Sequence, residues 1–190
     1  MDRRKALKNI GTGFGAIAVT PTVVSLFQSC QSASTYTPAF FSSSDFGKIS
    51  QLMDLIIPTT DIPGAIELKL PEFTDGYIAA VWDAERQGGF VEGWKAFLTA
   101  SSEISGKGAD QMDVPDWDAV LAKYLKPGNE ISDSEKDAAA FANQLRSLTV
   151  SAFKTNEFIG ENVLAYAPVP GEQRGCVDLA EATGGKAWSL

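Results

Sequence analysis

The stretch from Ser132 to Asn156, SDSEKDAAAFANQLRSLTVSAFKTN, constrains the fold more than any other part of the chain. Neither Gly nor Pro interrupts it. Ser132 and Glu135 stand three apart, the spacing at which each side chain can satisfy a backbone N–H of a first helical turn. Phe141, Leu145, Leu148, Ala152 and Phe153 then recur along one stripe of a 3.6-residue helix. Asp133, Glu135 and Asp137 sit at the positive end of the helix dipole and Lys154 at the negative end. A stripe of this length needs a partner surface, so the spacing predicts a central helix on which the others pack. Its residues read as core rather than as chemistry.

The rest of the body repeats the pattern in shorter pieces. Asp45 to Ile57 predicts a helix with Phe46, Ile49, Leu52, Met53 and Ile56 inward, ended by Pro58. Pro71 opens another, PEFTDGYIAAVWDAE, with Phe73, Tyr77, Ile78, Val81 and Trp82 inward. Gly88-Gly89 is expected to break the chain before a helix from about Val91 to Ile104 that carries Trp94 and Phe97. Pro115 fits the first turn of a short helix with Trp117, Val120, Leu121 and Leu125 on one side. Lys126-Pro127-Gly128-Asn129 turns into the central helix, and Glu157 to Leu164 reads as one more short helix. Period-2 alternation bounded by turns is not found. The expected fold is therefore all-α, a single irregular helical domain of five to six helices over residues 45–177. An N-terminal segment (1–30) and a Ser/Thr linker (31–44) precede it, and a tail (178–190) that is loose apart from Trp188 follows.

Composition narrows the chemistry. The apolar fraction of 44% and the charged fraction of 21% are those of a globular protein. Net charge is −8. Residues 1–30 hold four basic side chains against Asp2, which leaves 12 Lys+Arg against 23 Asp+Glu, or −11, in the remainder. Such a body repels phosphate backbones, so nucleic acid is not an expected partner. The chain has no histidine, which removes the commonest general base and metal or haem ligand. Two cysteines, Cys30 and Cys176, are too few for a zinc cage or an iron–sulfur cluster. No metal-binding, cofactor-binding or catalytic residue is expected in this chain. Gly11-Thr12-Gly13-Phe14-Gly15 has the wrong spacing for a dinucleotide loop.

Three segments invite a functional reading. The first thirty residues open on a cationic cluster and continue as a Gly-rich apolar run, the pattern of an export signal. Arg3, Arg4, Leu7 and Lys8 match the twin-arginine motif, with Ala6 where Phe is usual; an ordinary secretory signal or a retained anchor stays open. Cys30 ends the apolar run where a bacterial lipoprotein would be acylated, or it is a free or bridged thiol. The second segment is the stiff loop Pro58 to Ala65. Its Thr59, Thr60, Asp61, Pro63 and Gly64 read as partner-contact residues, although spacing alone favours Asp61 as a local turn former. The third is an extended Pro/Gly-rich arm with Tyr166, Pro168, Pro170, Gly171 and Cys176. Trp188 beyond it marks a contact surface or packs within the chain.

Taken together, Leu55 to Ala65, Pro71-Glu72-Phe73, Leu148-Thr149 and the Phe153–Gly160 region, Tyr166 to Gly171 and Gly175-Cys176 make the chain resemble the gluconate 2-dehydrogenase subunit 3 family. The resemblance covers most of residues 45–177. It implies an accessory subunit without catalytic residues, exported by the twin-arginine route to the periplasm and associated with the membrane. FAD then belongs to a large flavoprotein partner, and haem c to a cytochrome c partner. Two other readings are kept: a stand-alone periplasmic lipoprotein binding a ligand or envelope partner, and a glycosidase using Asp61 with Glu67 or Glu72. Cys176 is open to pairing with a partner's cysteine in an oxidising compartment.

Overall fold

The computed structural model of the chain describes residues 36–166, 171 and 176–188. Helix α1 runs Ser43–Ile56, α2 Leu70–Val81, α3 Ala84–Ser105, α4 Val114–Leu125, α5 Lys136–Thr155 and α6 Leu179–Thr183. Short 3-10 turns precede α4 and α5, and a π-helical turn, Ile159–Val163, follows α5. Among the described residues there is no strand, only an isolated bridge between Ala165 and Trp188. The fold is all-α, as the periodicities require.

The stretch 132–156 holds the central place expected of it. Ser132 and Glu135 form the capping box, which closes a 3-10 turn over Asp133–Glu135 and leads into α5. Helix α5 packs against α1, α2, α3 and α4. Its buried face is Ala138, Phe141, Ala142, Leu145, Thr149 and Ala152, while Leu148 and Phe153 lie half-buried at the edge of that face. The Phe141 ring stands 4.9 Å from Phe90, 5.4 Å from Trp94 and 5.3 Å from Phe97, centre to centre. A Cβ on Gly93 would come within 3.3 Å of the Phe141 Cβ. Glycine at this position is what lets the α3 backbone approach α5 so closely.

Two sequence expectations about the helical body are corrected. Gly88-Gly89 does not break the chain, because both lie inside α3. The break falls at Trp82, whose backbone is extended, and Asp83 caps α3 by accepting from the Arg86 N–H. Two helical glycines cost about 1 kcal/mol each relative to alanine. Burying Phe90, Trp94 and Phe97 on the same helix returns roughly 1.5–3 kcal/mol apiece, so the helix continues.

The second correction concerns α2. Its inward residues are Leu70, Pro71, Thr74, Asp75 and Ile78, with Trp82 buried just beyond. Phe73, Tyr77 and Val81 are exposed instead, at 54%, 40% and 61%. The reason is Asp75, which is fully buried. Its carboxylate accepts the backbone N–H groups of Ala39 at 2.6 Å, Phe40 at 3.1 Å and Phe41 at 2.9 Å. Charge-assisted bonds of this kind offset the cost of burying the carboxylate. They also fasten the end of the Ser/Thr segment, so that Phe40 and Phe41 pack near Phe90 at 6.4 and 6.1 Å.

The C-terminal residues are more structured than a loose tail. Asp178 caps α6, and the Ala165 N–H donates to the Ala187 carbonyl at 2.7 Å.

Two outcomes follow from these anchors. Asp75→Ala is expected to lower stability by about 1.5–3 kcal/mol, the range for a hydrogen bond to a charged group. Faster proteolysis near Phe40 should accompany it, and an unshifted denaturant midpoint would contradict the anchor. Glu135 accepts from Lys123 Nζ, from the Ser132 hydroxyl at 2.6 Å and from the Tyr124 hydroxyl at 3.2 Å. The Lys123 and Ser132 hydrogen bonds hold its carboxyl down at about 2, below the usual 4.5. Burial and the facing Glu135 push the Tyr124 phenol up to about 12. Folding lowers the Glu135 pKa, so its stabilisation is complete above 4.5 and is lost as pH falls toward about 2. Glu135→Gln should therefore flatten the acid limb of a stability-versus-pH curve in that window while leaving its slope above pH 5 unchanged.

Candidate functional site

Turning α2 so that Asp75 points inward leaves a row of apolar side chains facing out beside α5. The Phe73 and Tyr77 rings, one helical turn apart, stack with centres 6.1 Å apart and planes at 16°. Between them and α5 lies a depression of about 360 Å³, walled by Thr74 and Tyr77 from α2, Arg86 from α3, and Gln144, Leu148 and Ser151 from α5. Two more depressions continue it. One shares Phe73, Ala152 and Thr155 with the first and reaches Leu68 and Glu72. The other shares Thr155, Asn156 and Glu157 with the second and ends at Tyr166. The first two follow the α2–α5 seam, and the third carries the groove on past the C-terminal end of α5.

Chemically the groove has two parts. In the first section no acidic side chain lines the wall, and Arg86 is its only charged residue. The Arg86 guanidinium lies 4.0 Å from the centre of the Trp82 ring, a cation–π contact that fixes the charge without neutralising it. The Thr74 hydroxyl, on a residue only 2% exposed, has no hydrogen-bond partner. Further along, Lys69 and Lys154 are interspersed with Glu72, Glu157 and Glu161. Lys69 itself caps α2 with φ at +54°, in the left-handed region, a conformation uncommon for a side-chain-bearing residue.

The loop 58–65 is a self-contained turn. Ala65 N–H donates to the Ile57 carbonyl at 2.8 Å, Thr60 N–H to the Ile62 carbonyl at 3.1 Å and Gly64 N–H to the Thr59 hydroxyl at 3.3 Å. Thr59, Thr60 and Asp61 are exposed, Pro63 is half-buried and Gly64 is buried. None of these five lines the groove. At the other end the Ala165–Trp188 bridge draws together the backbone beside Tyr166 and that of Trp188. Both side chains are exposed, at 55% and 51%, and Tyr166 closes the groove. Cys176 is an exposed free thiol, and Gly171 is exposed with φ at +81°. Arg3, Arg4, Leu7, Lys8, Cys30, Pro168 and Pro170 lie outside the described residues.

Sequence reasoning missed Thr74, Arg86, Gln144 and Ser151. The available signal was the period-4 series Leu70, Thr74, Ile78, Trp82, an alternative inner face that includes a polar residue. Among the described residues no group of three or more Cys, Asp or Glu could hold a metal ion. No described helix is long and apolar enough to cross a membrane.

The family model for gluconate 2-dehydrogenase subunit 3 matches residues 44–171. That is more than half of the chain, and the chain belongs to this family. No curated protein and no solved structure matches it.

The loop geometry carries its own test. A Cβ on Gly64 would stand 2.4 Å from the Thr59 backbone nitrogen and 2.7 Å from the Pro58 carbonyl carbon, contacts that only a backbone shift relieves. Gly64→Ala should open the 58–65 turn, lowering the melting temperature and changing the amide resonances of Thr59 and Thr60. An alanine variant with unchanged melting and spectra would show that the turn is not held as described.

Proposed function

We propose that this member of the gluconate 2-dehydrogenase subunit 3 family is the non-catalytic small subunit of an exported, flavin-dependent sugar or sugar-acid dehydrogenase. It binds a large flavoprotein subunit and aids that subunit's export, maturation or stability. Its place in a dehydrogenase assembly follows from the family. The observation that carries the accessory role is the groove between α2 and α5, where Phe73 and Tyr77 are left in solvent on an otherwise well-packed helix. Apolar rows of this kind mark surfaces that another chain covers.

The remaining parts of the proposal concern export and redox cofactors. Arg3 and Arg4 direct the folded pair through the twin-arginine route, and the mature complex sits on the periplasmic face of the membrane, with Cys30 as a site for lipid attachment. The flavin is held by the large subunit, and a cytochrome c subunit carrying haem c receives the electrons. This chain supplies shape and passage.

An affinity tag at the C-terminus, used on periplasmic membranes of the native host, should recover a large polypeptide with flavin fluorescence. Arg3→Lys combined with Arg4→Lys should leave that flavoprotein in the cytoplasm. Recovery of no flavoprotein, or gluconate-dependent dye reduction by this chain alone, would overturn the reading.

A further inference from the structure

We propose that the first section of the α2–α5 groove seats a segment of the large subunit that presents a carboxylate side chain between aliphatic ones. This rests on the accessory-subunit reading above and adds the docking face and the chemistry of its occupant.

Charge decides the carboxylate. Beyond residue 30 the chain carries 23 acidic side chains against 12 basic ones, so most of its surface repels an acidic partner. The first section of the groove is an exception: its lining holds Arg86 and no acid. The guanidinium is held over the Trp82 ring at 4.0 Å, which leaves its N–H edge available for a two-point contact with a carboxylate.

Shape decides that the occupant is a polypeptide. Gln144 and Thr155 bound the α5 wall of this section, a span of about 16 Å at the 1.5 Å rise of a helix. The groove then continues past Thr155 to Tyr166. That length suits about five residues of extended chain at roughly 3.3 Å each, or three turns of helix. The stacked Phe73 and Tyr77 rings give the aliphatic flanks a flat apolar seat.

The test uses the full-length, C-terminally tagged chain expressed in its native host, with flavin fluorescence in the eluate as the readout. Arg86→Glu should recover at least tenfold less flavoprotein than the unaltered chain, whereas Asp118→Arg, an exposed reversal on α4 outside the groove, should leave recovery unchanged. Melting of each purified variant reports folding. Tyr77 replaced by the photo-crosslinking residue p-benzoylphenylalanine gives an independent reading that does not depend on the charge change. Irradiation should join position 77 to the flavoprotein, with the crosslinked peptide containing Asp or Glu. Full recovery by a folded Arg86→Glu chain, or the absence of a crosslink from position 77 to a flavoprotein that is recovered, would overturn the docking face and leave the accessory reading standing. A position-77 crosslink to a second copy of this chain would also overturn it. No flavoprotein recovered with the unaltered chain would remove both.

Discussion

The contact between Phe141 and the bare Cα of Gly93 is the constraint on which the helical body depends. With no Cβ at Gly93 the α3 backbone comes close to α5, and Phe90, Trp94 and Phe97 close around the Phe141 ring. The cluster spreads outward from there. Phe97 stacks on Trp117 of α4 at 6.3 Å, and the Trp94 indole N–H donates to Asp45 of α1 at 3.0 Å. Small polar residues inside this core are satisfied within their own helices. The buried hydroxyls of Ser101 and Thr149 donate to carbonyls one turn back, at 2.6 and 2.8 Å. With the face of α5 that carries Phe141 taken up by α3 and α4, α2 is left to pack along a different side of the helix.

The setting of α2 has a different cause, electrostatic rather than apolar. Successive residues on a helix are separated by 100°, so burying Thr74, Asp75 and Ile78 turns Phe73 and Tyr77 outward, while Val81 is exposed as the last residue of α2. A helix placed by hydrophobicity alone would sit the other way. The three backbone N–H groups of residues 39–41 need an acceptor once Phe40 and Phe41 dock on the core, and Asp75 supplies it. The exposed aromatic row, and hence the groove, is the geometric consequence of that anion being held inside.

This also explains what could and could not be read from the sequence. The central helix, its capping box and the end of α1 at Pro58 depend on local spacing and local chemistry, and they were legible. The extent of α3 was not. Gly88 and Gly89 have poor intrinsic helix propensity, and only the tertiary burial of the aromatics following them overrides it. The orientation of α2 was hidden for a related reason. Its two candidate stripes are both largely apolar, and what selects between them is a bond to residues more than thirty positions earlier. The groove inherits that uncertainty, since Arg86, Gln144 and Thr74 belong to three helices and come together only after α2 is turned. The loop 58–65 was visible as a stiff element. That its glycine is needed for close approach to the loop's own backbone, rather than for a partner, becomes clear only from the position of Thr59.

A face that another chain will cover must also survive in water alone, and the α5 side of the groove meets both demands. The Ser147 hydroxyl donates to the Asn143 carbonyl at 2.9 Å, and Thr155 to Ser151 at 2.9 Å. These side chains are polar enough to wet the groove, yet their donors are already used within the helix. Covering them therefore strips little that was bound only to water, and the desolvation cost of docking is small. Against this background the guanidinium of Arg86, stacked on the Trp82 ring, stands out as the one charged group lining the first section of the groove. A surface built this way resists indiscriminate apolar association, because any occupant that buries Arg86 without offering it an anion leaves a desolvated charge unpaired. Selectivity then resides in that charge, and the aromatic row supplies area.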